Sequence, residues 1–251
     1  MQVETHYWKA SDGVSLAYRE MGQGRPVVLV HGLFSDGVTN WIKFGAAEAV
    51  ATSGFRVIMP DLRAHGLSGK PHDPTAYPDG ILGRDLTELV AYMGLNDYDL
   101  GGFSLGSRTT VQAVGEGLRP RRVVLGGMGL EGLTGWLRRK DFFLDAIACF
   151  DTATRGDPHW LAIQFMKTME VDRIAAALLL PTFTDAKPEW LAAFTMPTLV
   201  LCGSDDRDNG SAPKLAEALP KATYVEVPGT HMSSVTKPDF GHQFAKWLAM
   251  P

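Results

Sequence analysis

A serine between small residues is the first candidate for chemistry in this chain. Ser104 is the centre of Gly-Phe-Ser-Leu-Gly at positions 102–106, which fits the pattern G-x-S-x-G between a predicted strand and a predicted helix. Glycines two positions to either side permit a tight turn from which a side chain projects beyond the sheet edge. A serine hydroxyl becomes an effective nucleophile when a histidine, oriented by a carboxylate, takes its proton. The pattern therefore predicts a nucleophile with two partners later in the chain.

The predicted base is a histidine near the C-terminus. Three histidines follow Ser104, namely His159, His231 and His242. His159 lies in a segment without predicted strands and His242 lies inside the predicted terminal helix. His231, in Gly-Thr-His, follows the last predicted strand in a loop that can reach the sheet edge. We therefore expect His231 to be the base.

Several carboxylates could orient that histidine. Two aspartates, Asp205 and Asp206, directly follow the buried strand predicted at 197–201. Asp206, three residues after a glycine, is the preferred candidate and Asp205 the second. Asp208 and Glu131 are the third and fourth candidates, and the carboxylates that are not used are expected to lie in surface turns.

The elements that must position these residues alternate between strands and helices. Such alternation predicts an α/β fold with a mostly parallel central sheet flanked by helices. The predicted strands are at 3–9, 15–21, 26–30, 55–59, 98–101, 122–125, 197–201 and 223–227, and the predicted helices at 42–52, 82–93, 105–117 and 239–248.

One stretch of the chain interrupts the alternation. Residues 130–194 contain helix-like segments and no convincing strand, which predicts a helical cap inserted into a core formed by residues 1–129 and 195–251. The cap is rich in aromatic residues, most of which we expect to form its own core. We expect Trp136 and Phe143 of the cap, with Phe34 and Phe103 of the core, to contact substrate. These side chains favour a largely apolar substrate.

Together the motifs resemble the α/β-hydrolase family, in particular its capped, esterase-like serine hydrolases, over about residues 10–250. The resemblance implies a Ser104, Asp206 and His231 triad, with the backbone N–H groups of Leu33 and Leu105 forming an oxyanion hole. This chain has Phe103 where that branch usually has histidine. The motifs are His31-Gly32, Asp61-x-Arg63-x-His65-Gly66-x-Ser68, Gly102-x-Ser104-x-Gly106, Gly203-x-x-Asp206 and Gly229-x-His231.

Other motifs receive structural interpretations. The charged loop at 61–68 is expected to hold itself together by hydrogen bonds, and His31 is expected to be structural. Residues 127–132 fit G-x-G-x-x-G, but no second strand follows as a dinucleotide site requires, so no cofactor is expected. Histidine and cysteine spacings give no support for a metal site.

Composition limits the classes of partner. The 251 residues are 45% hydrophobic with a net charge of −4, and no long basic run indicates nucleic-acid binding. The sequence has no recognisable signal peptide or membrane span, and its two cysteines have no paired spacing. We therefore expect a cytoplasmic protein that acts on a small molecule, without nucleic-acid or membrane partners. Its oligomeric state is not predicted.

The resulting functional hypothesis is a serine hydrolase that cleaves a carboxylic ester, thioester or lactone through an acyl-enzyme. One alternative is hydrolysis of a carbon–carbon bond, as in the ring-cleavage product hydrolases that resemble this branch. Another is a small-molecule receptor with slow turnover on the same fold. Haloalkane dehalogenase and epoxide hydrolase are disfavoured because those relatives have an aspartate at the position of Ser104.

Overall fold

An eight-stranded sheet forms the centre of the molecule, in a computed structural model that describes residues 1–250. The strands are β1 (Val3–Lys9), β2 (Ser15–Gly22), β3 (Arg25–Val30), β4 (Phe55–Pro60), β5 (Asp99–Phe103), β6 (Val123–Gly126), β7 (Thr198–Gly203) and β8 (Ala222–Val227). Their spatial order is β1-β2-β4-β3-β5-β6-β7-β8. β1 and β2 pair antiparallel to their neighbours, while β3 to β8 are parallel. The predicted fold class is confirmed.

Helices cover both faces of the sheet. They are α1 (Ala46–Thr52), α2 (Ile81–Tyr92), α3 (Leu105–Gly115), α4 (Leu130–Thr134), α5 (Trp136–Ala148), α6 (Trp160–Thr168), α7 (Arg173–Leu179), α8 (Pro188–Ala192), α9 (Ala212–Ala218), α10 (His231–Ser234) and α11 (Pro238–Leu248). Alternate strand residues face opposite sides: Val28 packs with α2 and α3, whereas Val27 packs with α1 and α11. No helix in the described part of the chain is long and apolar enough to span a membrane.

The chain between β6 and β7 is helical. Helices α4 to α8 and a 3₁₀ turn at Leu180–Thr182 occupy it, and residues 130–194 contain no strand. We call residues 130–194 the helical segment. Its division from the remainder as a separate cap stays a prediction.

Two local predictions differ from the structure. The helix predicted at 42–52 begins only at Ala46, because Gly45 has a φ of 81° that separates α1 from a preceding π-helical turn at Val38–Ile42. Helix α9 was not predicted, although Ser211 caps it by accepting a hydrogen bond from the Lys214 N–H. A helix this short, with polar residues around it, contains too few apolar residues to show the helical spacing on which such predictions depend.

Candidate active site

Ser104 lies in a strained turn between β5 and α3. Its φ of 53° and ψ of −112° place it in a region that few non-glycine residues adopt. A Cβ on Gly102 would lie 2.2 Å from the backbone carbonyl carbon of Gly106, and a Cβ on Gly106 would lie 2.0 Å from the Val30 oxygen. Both glycines are therefore required by close backbone approach, which explains the spacing G-x-S-x-G physically.

Three side chains from distant parts of the chain form one hydrogen-bonded series. The Ser104 Oγ lies 3.0 Å from Nε2 of His231, and Nδ1 of His231 lies 2.9 Å from Oδ2 of Asp206. The ionised carboxylate can only accept, so Nδ1 carries the proton and Nε2 is free to accept the hydrogen of the serine hydroxyl. The loop predicted to carry His231 is instead the start of helix α10, which Thr230 caps.

Asp206 is surrounded by hydrogen-bond donors. Its side chain is buried, and besides His231 it accepts from the Asp208 N–H at 3.1 Å and from the Cys202 thiol at 3.4 Å. Burial raises the pKa of Asp206, but the hydrogen bond and charge of His231 and the other donors outweigh it, so the pKa lies below its ordinary value. The Cys202 thiol stays protonated because burial raises its pKa to about 12.

The alternative acids lie away from His231. Asp205 is exposed and accepts from the Ser204 hydroxyl at 3.2 Å. Glu131 is exposed and accepts from the Ser211 N–H at 2.7 Å, while Asp208 is exposed at the edge of the pocket described below. The structure therefore brings Asp206 to the imidazole and leaves Asp205, Asp208 and Glu131 elsewhere.

Leu33 and Leu105, whose backbone N–H groups are the expected oxyanion donors, line the same cavity as Ser104. Leu105 is the first residue of α3, so its N–H has no acceptor within the helix, and the N–H of Leu33 bonds to no acceptor within residues 1–250. The turn before Leu33 is held by Asn40, whose Oδ1 accepts from the Gly32 N–H at 3.0 Å. Asn40 is buried, and its own Nδ2 has no described partner. Its role was not predicted, because the residues around Asn40 form no recognisable motif.

A large pocket of about 1130 Å³ opens above Ser104. All four aromatic residues expected to contact substrate, Phe34, Phe103, Trp136 and Phe143, contribute to its wall. Phe143 stacks on Trp136 with ring centroids 5.8 Å apart and meets Phe34 edge-on at the same distance. Phe103 stacks on the His231 ring at 5.0 Å. The wall of the pocket is therefore built by both the helical segment and the sheet-edge loops.

The charged loop after β4 serves the framework. Asp61 accepts from Arg19 at 2.8 Å and from the Leu67 N–H at 2.8 Å, and Arg63 is fully buried between Asp12 and Asp85. The loop thus joins the first hairpin, β4 and α2, consistent with its structural interpretation.

The histidines of these motifs are also held inside the protein. His31 Nε2 accepts from the Leu62 N–H at 2.9 Å, while His65 Nδ1 lies 2.9 Å from the Arg63 carbonyl oxygen. Burial lowers the pKa of both imidazoles, that of His65 to about 3, so both are neutral at physiological pH. Neither histidine is hydrogen-bonded to Ser104.

A group of potential metal ligands occurs where the sequence predicted none. Cys149, Asp157 and His159 lie around the loop between α5 and α6, and one donor atom from each falls within 4.8 Å of the others. His159 Nδ1 lies 3.1 Å from an Asp157 oxygen, which also accepts from the His159 backbone N–H at 2.8 Å in the turn before α6. These local hydrogen bonds account for the position of Asp157 beside His159 without an ion.

Comparison with known proteins agrees with this architecture. Residues 25–124 match the family model for the alpha/beta hydrolase fold. Two solved structures superpose over nearly the whole chain: a bromoperoxidase from Bacillus anthracis (TM-score 0.73, 22% identity, 98% of this chain and 99% of that one) and a thermophilic esterase from Thermogutta terrifontis (TM-score 0.72, 24% identity, 99% and 98%). These define an α/β-hydrolase fold. The match with the family model spans 100 of the 251 residues, and the two superpositions extend the fold to nearly the whole chain.

Similarity to curated relatives covers less of the molecule. A non-heme chloroperoxidase from Kitasatospora aureofaciens is 36% identical over 106 residues, which is 41% of this chain and 36% of that protein. The first three curated relatives are matched over 36 to 43% of their length. Their activities therefore do not transfer directly to this chain.

Proposed function

We propose that this protein is a serine hydrolase that cleaves a carboxylic ester, thioester or lactone through an acyl-enzyme. One observation carries the proposal: a serine in a strained turn is hydrogen-bonded to an imidazole, which is bonded in turn to a buried carboxylate, at the base of a mainly apolar pocket. This arrangement is suited to removing a proton from a hydroxyl and to stabilising the imidazolium that results.

Acylation follows from the positions of these groups. His231 Nε2 takes the proton of Ser104 as Oγ attacks the substrate carbonyl, and Asp206 stabilises the imidazolium through Nδ1. The carbonyl oxygen becomes an oxyanion, which the N–H groups of Leu33 and Leu105 bind. His231 then donates its proton to the departing alcohol or thiol, which leaves the acyl group on Ser104.

Deacylation repeats the sequence with water as nucleophile. His231 removes a proton from water, the hydroxide attacks the acyl carbonyl, and the same two N–H groups bind the second oxyanion. Return of the proton to Ser104 Oγ releases the acid. We propose that the helical segment acts as a cap that selects the substrate, since the triad and both oxyanion donors lie outside it and Trp136 and Phe143 within it face the pocket.

Labelling with a fluorophosphonate tests this proposal without knowledge of the substrate. The expected result is one adduct per chain, located on Ser104 by mass spectrometry and absent from Ser104→Ala. Ser35→Ala is the matched control, because Ser35 is a buried serine in the wall of the same pocket and has no hydrogen bond to His231. It should label at the wild-type rate.

Steady-state hydrolysis of short 4-nitrophenyl esters completes the test. Ser104→Ala should retain only the small residual rate that binding and oxyanion donors provide. An adduct on another residue, or a variant that keeps more than about a tenth of wild-type activity, would refute the assignment. Labelling of Ser104 without ester turnover would contradict hydrolysis and favour a receptor.

A further inference from the structure

Two guanidinium groups in the pocket wall contact only neutral acceptors. Arg139, on α5, donates to the side-chain oxygen of Asn209. Arg108, on α3, is 8% exposed and donates to the carbonyl oxygens of Gly132 and, at 2.6 Å, Thr184. Its guanidinium also lies over the Trp136 ring, 5.4 Å from the centroid.

Neither guanidinium has a carboxylate within 4 Å in residues 1–250. The carboxylates that interact with them at longer range are hydrogen-bonded to other groups or exposed to solvent. Asp185, near Arg108, accepts the Trp136 N–H at 2.7 Å. Asp206 and Asp208 act on Arg139, but Asp206 is bonded to His231 and Asp208 is exposed.

Arg108 is buried and Arg139 is half-buried, and this burial opposes the two charges without removing them. It lowers the pKa of Arg108 to about 10 and that of Arg139 below its ordinary value, so Arg108 still carries its charge at neutral pH. A buried charge is usually paired, because its desolvation is expensive unless an opposite charge or several hydrogen bonds compensate it. A bound anion in the pocket would provide that missing charge.

Counting all charged residues of the wall, basic side chains outnumber carboxylates by four to three. Lys43 and Arg138 add positive charge, whereas the carboxylates are Asp36, Glu170 and Asp208. A guanidinium presents a planar pair of N–H donors that matches the two oxygens of a carboxylate. Donors of Arg139 remain available for such a pair, because this side chain donates to a single protein acceptor, Asn209.

We propose that the pocket selects esters or lactones that carry a free carboxylate at a distance from the scissile bond, with Arg139 as the anchor. Arg108 adds a second positive charge in the same wall, and the aromatic side chains of the wall accommodate the apolar chain between the carboxylate and the scissile bond. This inference rests on the proposed function and makes its substrate class specific: monoesters of dicarboxylic acids, rather than wholly apolar esters.

The test compares two esters that differ in their terminal group. The 4-nitrophenyl monoester of adipic acid is measured against 4-nitrophenyl hexanoate, with spontaneous hydrolysis subtracted. In the wild type, kcat/KM should favour the monoester by about ten- to hundredfold, the range expected for hydrogen bonds to a charged group. Arg139→Gln should remove this preference, and Arg139→Lys should restore part of it. Lys140→Gln is the matched control, since it removes the neighbouring positive charge outside the pocket wall.

Inhibition of the wild type provides a measurement that does not depend on a folded variant. Adipate should compete with 4-nitrophenyl hexanoate at least tenfold more strongly than adipamide, with the difference decreasing as salt is added. Three results would each overturn the inference. They are a wild-type preference for the hexanoate, equal inhibition by adipate and adipamide, and an equal loss of activity toward both esters in a folded Arg139→Gln variant. Absence of both ester hydrolysis and fluorophosphonate labelling would instead refute the proposed function.

Discussion

Replacing Asp206 by asparagine gives the sharpest test of the proposed proton path. The carboxylate accepts three hydrogen bonds: Oδ1 from the Asp208 N–H, and Oδ2 from the His231 ring and the Cys202 thiol. An amide offers one oxygen and one nitrogen that donates, so Asp206→Asn must direct its NH₂ group at one of these donors. Both orientations of the amide therefore lose a hydrogen bond that the carboxylate makes.

The two orientations have different consequences. If the NH₂ group faces His231, the imidazole must accept at Nδ1 and carry its proton on Nε2, where it can no longer take the Ser104 proton. The corresponding exchange in serine proteases lowers kcat about 10⁴-fold, or about 5.4 kcal/mol. If the NH₂ group faces the Asp208 N–H instead, two donors oppose each other in a buried site, which costs about 1–3 kcal/mol of unfolding free energy.

Hydrolysis of 4-nitrophenyl acetate and urea unfolding measure the two effects separately. We expect Asp206→Asn to lower kcat between about 10²- and 10⁴-fold and to reduce the unfolding free energy by about 1–3 kcal/mol. Asp205→Asn is the matched control and should change neither quantity, since Asp205 is exposed and does not contact His231. Loss of activity in Asp205→Asn, with Asp206→Asn near wild type, would refute this reasoning.

Two further predictions concern stability. Gly106→Ala should lower the unfolding free energy by about 3 kcal/mol in urea titration, because its Cβ would lie 2.0 Å from a backbone oxygen that cannot move aside; an unchanged midpoint would contradict that close approach. Below about pH 6.5 the unfolded chain protonates His65, whereas the folded protein keeps His65 neutral down to about pH 3. The unfolding free energy should therefore decrease as the pH falls from about 6.5 to about 3, by about 1.4 kcal/mol per pH unit for this residue. His65→Asn should reduce that slope and the exposed His242→Gln should leave it unchanged; equal slopes in all three proteins would exclude the buried imidazole as the cause.

The sheet could be predicted because its strands carry a strong local signal. The central parallel strands β3, β4, β6 and β7 are mainly apolar and mainly buried, which is typical of strands covered on both faces, whereas β8 at the sheet edge is partly exposed. Ser104 and His231 could be predicted as candidates because each directly or closely follows a predicted strand. The two residues come close together because the carboxyl ends of the parallel strands meet at one edge of the sheet. The alternation of strands and helices in the sequence predicts that parallel arrangement.

The wall of the pocket depends on information that the local sequence lacks. Arg139 is one of several basic residues at the start of α5, and nothing in its neighbours distinguishes it from the exposed Arg138. Its position beside Asn209 arises from packing of α5 against the loop after β7, 70 residues later in the chain. Similarly, the role of Asn40 depends on a contact with Gly32 that no periodic pattern predicts.

The order of Ser104, Asp206 and His231 along the chain also affects when their contacts can form during synthesis. Ser104 and His231 are 127 residues apart, and β8, which precedes His231, is added at the edge of the sheet after β7. A ribosome that has released only the first two hundred residues can have produced the serine turn, but not the imidazole that its hydroxyl contacts. Contacts between residues this distant in sequence form late in folding, because the intervening chain must first lose conformational freedom. A growing chain therefore carries Ser104 without its histidine contact until residue 231 has emerged.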